Sequence, residues 1–291
     1  MLPTILCGMQ TSGLQEQDSR VTERRSAVRR WVQLARVLLF MVACALIVAI
    51  VAPIAKRFSG VQPEVLIGTL TSIATLGVTL LFLRWDGVQA REVGIAPRKG
   101  SIPRFVGGFV LGLVLVLAWA GLFAIVAPVR WTRSPHVGLA ACTGHLAGYL
   151  ALSLREELAF HAYPLRRLER GFGLWGAQLI VATGFALEHR LGGWSWMQAV
   201  LGAGVGSLLF GMAALATRGL AVPLGLHAAW NLGHWSLGAK GEPGLWKMNV
   251  PEDSNANLQA MACYWAVFGL ATMGLWWRYR NAAATRTCPV A

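Results

Sequence analysis

Charge is the scarce ingredient of this chain. Only 13% of its 291 residues are Asp, Glu, Lys or Arg, and just 13 of those are acidic. That is too little to solvate the surface of a water-soluble domain of this size. Cysteine is equally uninformative as a ligand: Cys7, Cys44, Cys142, Cys263 and Cys288 form no CxxC pair, and three of them fall in apolar runs. No metal spacing is present either, and these cysteines read as packing residues. There is no pair of histidines in HExxH spacing, no internal repeat, and no basic leader before an apolar run at Met1–Met9, so no signal peptide is expected. The terminal Cys288-Pro289-Val290-Ala291 formally fits a prenylation box, but Pro289 is a poor aliphatic residue and the match is read as chance. A formal charge of +13 invites a nucleic-acid partner. The basic residues instead lie in short segments between apolar runs, where lipid headgroups and membrane orientation explain them, so no nucleic-acid binding is expected.

What is present in quantity is apolar sequence. Hydrophobic residues make up 55% of the chain, with 13 Trp, and the mean hydropathy is +0.53. Runs of roughly 20 residues match a hydrocarbon core about 30 Å thick. They predict an all-α polytopic membrane protein with eight transmembrane helices, near 33–54, 65–83, 105–128, 138–165, 175–189, 196–216, 220–237 and 257–277. Residues 1–31 read as a flexible, Arg-rich tail, 32–280 as one membrane domain with the chemistry confined to 138–237, and 281–291 as a short C-terminal tail. With the N-terminus inside, the cytoplasmic segments hold 19 Lys and Arg, Arg155 among them, against 7 on the other side. Both termini are therefore expected in the cytoplasm.

Two adjacent carboxylates, Glu156 and Glu157, interrupt one of these runs. An acidic side chain inside a membrane helix costs roughly 2.5 to 3.5 kcal/mol on insertion scales, so it normally faces a protein interior or a wet cavity and marks a function. His161, His189, His227, Asn231 and His234 are the other polar residues in the C-terminal apolar runs. Glu157 and His161, Phe185 and His189, and His227 and Asn231 are each four residues apart, so each pair shares one helix face. Counted at about 1.5 Å per residue, they fall in one band about 10–21 Å deep. A carboxylate and an imidazole can take a proton from water, and a second imidazole and an amide can donate to a developing oxyanion. That is equipment for hydrolysing an amide, although the same groups could hold a metal in an N/O site.

At these residues the sequence resembles the CPBP family (CAAX protease and bacteriocin-processing) of intramembrane proteases. The family's EExxxR, FxxxH and HxxxN motifs correspond to Glu156-Glu157-Leu158-Ala159-Phe160-His161, Phe185-Ala186-Leu187-Glu188-His189 and His227-Ala228-Ala229-Trp230-Asn231. The resemblance implies that Glu156 and His189 activate the attacking water, while His227 and Asn231 stabilise the oxyanion. Glu157, His161 and Phe185 would support the site, with His161 standing where the motif has Arg, a weaker and pH-sensitive partner. It further implies a peptide or protein substrate at the bilayer and location in a bacterial inner membrane. No cofactor is required by this scheme; a divalent metal such as zinc, held by Glu156, His189 and His227, is the alternative to a glutamate-type mechanism.

The competing function is a catalytically silent immunity or scaffold protein, or a proton-coupled transporter, using the same polar residues. Blander readings apply to the remaining candidates. His145 reads as pore-lining or interfacial, His234 as an extension of the motif stripe, Glu188 as a helix-end residue, and Arg166, Arg167 and Arg170 as a cytoplasmic anchor. Trp175, Trp194, Trp196, Trp276 and Trp277 read as an interfacial belt.

Overall fold

The computed structural model describes residues 3–58, 63–135, 137–241, 244–251 and 255–287, with side chains described from 28 to 282. Cys7 and the terminal Cys288-Pro289-Val290-Ala291 thus lie outside the described side chains. Eight α-helices follow in order: α1 (Pro3–Ala55), α2 (Pro63–Asp86), α3 (Ser101–Val126), α4 (Leu139–Glu156), α5 (Tyr163–Leu191), α6 (Val205–Thr217), α7 (Ala221–Ser236) and α8 (Ala256–Thr287). Helical backbone runs through residues 3–31, where a flexible tail was expected; among them nothing after Gly13 carries the conformational freedom or missing N–H that stops a helix.

Among the described residues, five segments are long and apolar enough to cross a membrane: Val28–Ala55, Pro63–Asp86, Ser101–Val126, Gln198–Thr217 and Ala256–Ala282. The chain is an integral membrane protein of helical architecture. Eight such spans are not found among the described residues, because α4, α5 and α7 carry the polar residues and are short, interrupted or charged. The helical core has one β addition: β1 (Arg130–Arg133) pairs antiparallel with β2 (Trp246–Asn249), tying together two connections at one end of the bundle.

Proline decides the boundaries that matter. Pro128 drives Ala127 into extended backbone (φ −131°, ψ 150°) and ends α3. Pro164 has no N–H to give and its ring would strike the carbonyl four residues back. The single helix expected over 138–165 is therefore broken: the chain leaves α4 as a π turn over Glu157–Ala162, departs from helical geometry at Ala162 (φ −86°, ψ −103°), and restarts as α5. The expected loop 166–174 is instead helical up to a break at Gly173 (φ 71°). A second π stretch, Gln198–Gly204, leads into α6.

Helix α3 packs along α7, and α2 along α4. Among lipid chains the hydrophobic effect contributes little to helix association, so close backbone approach and van der Waals contact must hold these pairs. At Gly225 of α7 the approach leaves no room: a Cβ there would lie 2.2 Å from the Phe105 carbonyl oxygen and 2.7 Å from the Phe109 nitrogen. Gly225→Ala is expected to separate α3 from α7 and destabilise the protein by about 1–3 kcal/mol. Thermal unfolding in detergent, with Gly77→Ala as an unobstructed control, would contradict this packing if both variants melted alike.

Two apolar cores result. One gathers Phe40, Tyr163, Phe160 and Phe185; the other gathers Trp119, Phe123, Trp230, Phe210 and Phe268. The polar residues of α4, α5 and α7 lie where the two meet.

Candidate active site

The π turn buries every residue from Glu157 to Ala162. Such turns insert an extra residue into the helical ladder and recur at functional sites. Here it inserts a carboxylate and an imidazole into the seam between the two cores.

Glu157 is fully buried and accepts from two rings. Its Oε2 is 3.0 Å from His161 Nδ1 and its Oε1 is 2.9 Å from His227 Nδ1. Since an ionised carboxylate only accepts, each imidazole presents its Nδ1–H to Glu157. The tautomers of the other ring nitrogens follow. His161 Nε2 is left to accept from Ser207 Oγ, 3.0 Å away. His227 Nε2 faces Glu156 Oε2 at 3.4 Å. The result is one continuous polar chain: Ser207, His161, Glu157, His227, Glu156. His161 thus occupies the partner slot beside Glu157, and Phe210 lies flat against His227 at 4.0 Å between centroids and 14° between planes, fixing the ring from the apolar side.

The two glutamates have different surroundings. Glu157 is sealed, whereas the Glu156 side chain keeps 18% of its exposure and is the more accessible of the two.

His189 is held by its own helix: its Nδ1–H donates to the Phe185 carbonyl at 2.9 Å, and Nε2 has no hydrogen bond among the described residues. Its ring packs on Phe185 at 4.5 Å and on Trp194 at 4.8 Å. Trp194, expected in an interfacial belt, therefore lies against a site residue. Phe185 also lies 6.3 Å from His227, so one phenyl ring separates the two imidazoles. No hydrogen bond joins His189 to Glu156; the imidazole beside Glu156 is that of His227. Asn231 Nδ2 reaches Ser153 Oγ at 3.5 Å, and its Oδ1 accepts from Lys240 Nζ at 2.8 Å.

Several participants were not visible in the sequence. Ser153, Ser207 and Lys240 belong to no motif. Arg155 was counted as cytoplasmic and Glu188 as a helix end; instead Arg155, only 3% exposed, forms a two-pronged ion pair with Glu188, with Nη2 to Oε2 at 2.6 Å, and also donates to the Cys44 carbonyl at 3.4 Å. The pair ties α4 to α5 one residue from Glu156 and one from His189. A lone Arg and a lone Glu, each one residue from a motif position inside an apolar run, was the available signal, because neither can stay unpaired there.

Other expectations shift. His234 does not extend the polar stripe into the site: it is wedged between Trp119 at 4.5 Å and Trp230 at 4.2 Å. His145 stacks on Trp235 at 4.0 Å. Arg167 lies 2.9 Å from Asp86, which also binds Arg36 and accepts from Tyr163. The arginines after Glu157 thus lock helices together at one end of the bundle.

A metal would need at least three donors directed at one point. Among the described residues no such group of His, Cys, Asp or Glu exists. Of the proposed set, Glu156 and His227 are neighbours at 3.4 Å, but with His189 they form no group placed to hold an ion. The described residues do not fit a metal.

Residues 139–233 match the family model for type II CAAX prenyl endopeptidase Rce1-like proteins. No curated protein matches the chain. The matched segment begins at α4 and ends in α7, and so contains every motif residue discussed above.

Proposed function

With an Rce1-like domain over residues 139–233 as the premise, we propose that this protein is an intramembrane endopeptidase that hydrolyses a peptide bond of a membrane-associated or C-terminal-tail substrate. The observation that carries the proposal is the unequal pair of glutamates, one sealed between two imidazoles and the other more accessible and 3.4 Å from His227 Nε2.

In this reading Glu156 is the general base. It accepts a proton from a water molecule, whose oxygen attacks the scissile carbonyl carbon. The carbonyl π electrons move to oxygen, and the oxyanion is met by Asn231 Nδ2, whose orientation is set because Lys240 occupies its Oδ1. Collapse of the tetrahedral intermediate breaks the C–N bond, and the proton taken by Glu156 passes to the leaving amine. His227 Nε2 shares that proton while Glu156 holds it, and Glu157 fixes the His227 ring so that this nitrogen faces inward. His189, whose Nε2 has no hydrogen bond among the described residues, serves as a second proton carrier at the α5 side. No metal takes part.

The test is cleavage of membrane-anchored peptides by the purified protein in detergent. Asn231→Ala is expected to lower kcat about 10²- to 10³-fold, the usual loss for one oxyanion donor. Activity is expected to persist after dialysis against a chelator. Full cleavage by the Asn231→Ala, His189→Ala double variant would remove the mechanism; inactivation by chelator reversed by zinc would replace it with a metal-dependent one.

A further inference from the structure

At the end of the bundle that carries Asp86, the connection between α2 and α3 folds over the α6–α7 turn. The two approach until backbone meets backbone: Leu220 donates to the Gly94 carbonyl at 3.2 Å, and a Cβ at Gly94 would lie 2.9 Å from Gly219 Cα. This contact brings together arginines from three parts of the chain. Arg91 and Arg98 come from the connection, Arg166 and Arg170 from α5, and Arg218 from the α6–α7 turn, and together they line a cavity of about 220 Å³.

The carboxylates present are already engaged. Glu92 takes the Gln89 backbone N–H at 2.9 Å and Arg170 at 2.8 Å, which hold its carboxyl below the usual range, the backbone bond contributing most. Glu169 accepts from Tyr279 at 2.7 Å and lies beside Arg166. Arg91, Arg98 and Arg218 have no ion-pair partner among the described residues, and Arg166 keeps a buried Nε without a hydrogen bond. Arg218 is also the one described non-glycine residue with positive φ, at φ 54° and ψ 40° just past α6, a position where glycine is preferred. Like charges are thus held around a hollow by a backbone contact that does not need them, and one sits in a conformation that disfavours it.

We propose that this cavity binds a phosphate monoanion, and specifically the headgroup phosphate of an anionic phospholipid. Planar guanidinium groups match phosphate oxygens with paired N–H donors. A basic hollow between helices at a membrane surface is where an anionic headgroup seats. The exposed Trp85 and Trp277, on helices that reach this end, suit the interfacial depth.

The experiment is thermal unfolding of the full chain in detergent with added phosphatidylglycerol, phosphatidylcholine or inorganic phosphate. Phosphatidylglycerol is expected to raise the midpoint of the wild type, and phosphatidylcholine is not. Each arginine removed from the cavity is expected to weaken lipid binding about fivefold, so the gain should vanish in Arg98→Gln/Arg218→Gln and persist in the control Arg278→Gln/Arg280→Gln. Arg218→Gly provides a second readout: it relieves the left-handed residue, so the lipid-free protein should be at least as stable while its lipid gain falls. Equal effects of the two lipids, an undiminished gain in the double variant, or an equal loss in the control would overturn the proposal. An equal gain from inorganic phosphate alone would overturn the lipid source and leave a free-phosphate site.

Discussion

Replacing Glu156 by glutamine is expected to abolish cleavage while leaving the protein folded, whereas the same change at Glu157 is expected to damage the fold itself. Glutamine keeps the volume of either side chain but cannot take a proton from water. At Glu156, the more accessible of the two and with a partner 3.4 Å away, the loss is one of general-base chemistry, about 10²- to 10⁴-fold in kcat. At Glu157, fully buried with each oxygen engaged by an imidazole, glutamine puts an amide N–H₂ against an Nδ1–H. That ring then loses its acceptor in a fully buried place. Removing one partner from a buried ionic group costs about 3–5 kcal/mol. The unfolding midpoint and the cleavage rate, measured on both variants, separate the two roles. If Glu157→Gln melts like wild type, or Glu156→Gln cleaves at a rate close to wild type, the division of labour is wrong.

The Arg155–Glu188 pair gives the second large expectation. Arg155→Met should destabilise the protein by about 3–5 kcal/mol, because Glu188 would keep its charge in an apolar setting without a partner. Glu188→Leu should be comparably harmful. The double variant Arg155→Met/Glu188→Leu, with no charge left to strand, should lose much less than the two single losses added together. Its cleavage rate is the more informative quantity. If the pair serves only stability, the double variant regains both stability and activity. If it sets the spacing between Glu156 and His189, stability returns and kcat does not, with KM little changed. Additive single losses would mean that the pair is not coupled in the protein.

These cases also mark what could be read from the chain beforehand. The i, i+4 pairing of Glu157 with His161 was legible because both lie on one turn, and periodicity is a local property. That Glu157 also receives His227 was not legible, because seventy residues separate them and no spacing rule selects which helix faces which. His189 illustrates the same limit. Its motif is clear, yet the structure hydrogen-bonds it to the Phe185 carbonyl of its own helix and sets His227 beside Glu156. The helix expected over 138–165 failed for a reason present in the sequence: Pro164 cannot be accommodated without breaking the ladder four residues back. The π turn by which the chain resolves that break, and which buries Glu157, could not be read from proline alone.

By itself, the sequence determined that this is a helical membrane protein and that an acid, two imidazoles and an amide reside in its C-terminal half. Hydropathy and helical repeat act within a few residues and need no knowledge of the rest of the chain. Only the tertiary structure decided which glutamate is sealed and which is more accessible, that Arg155 finds Glu188, and that arginines from three segments surround one hollow. Those outcomes depend on where helix axes cross and how closely their backbones approach, and the free energy of a buried charge is set by its neighbours in space and not by its neighbours in sequence.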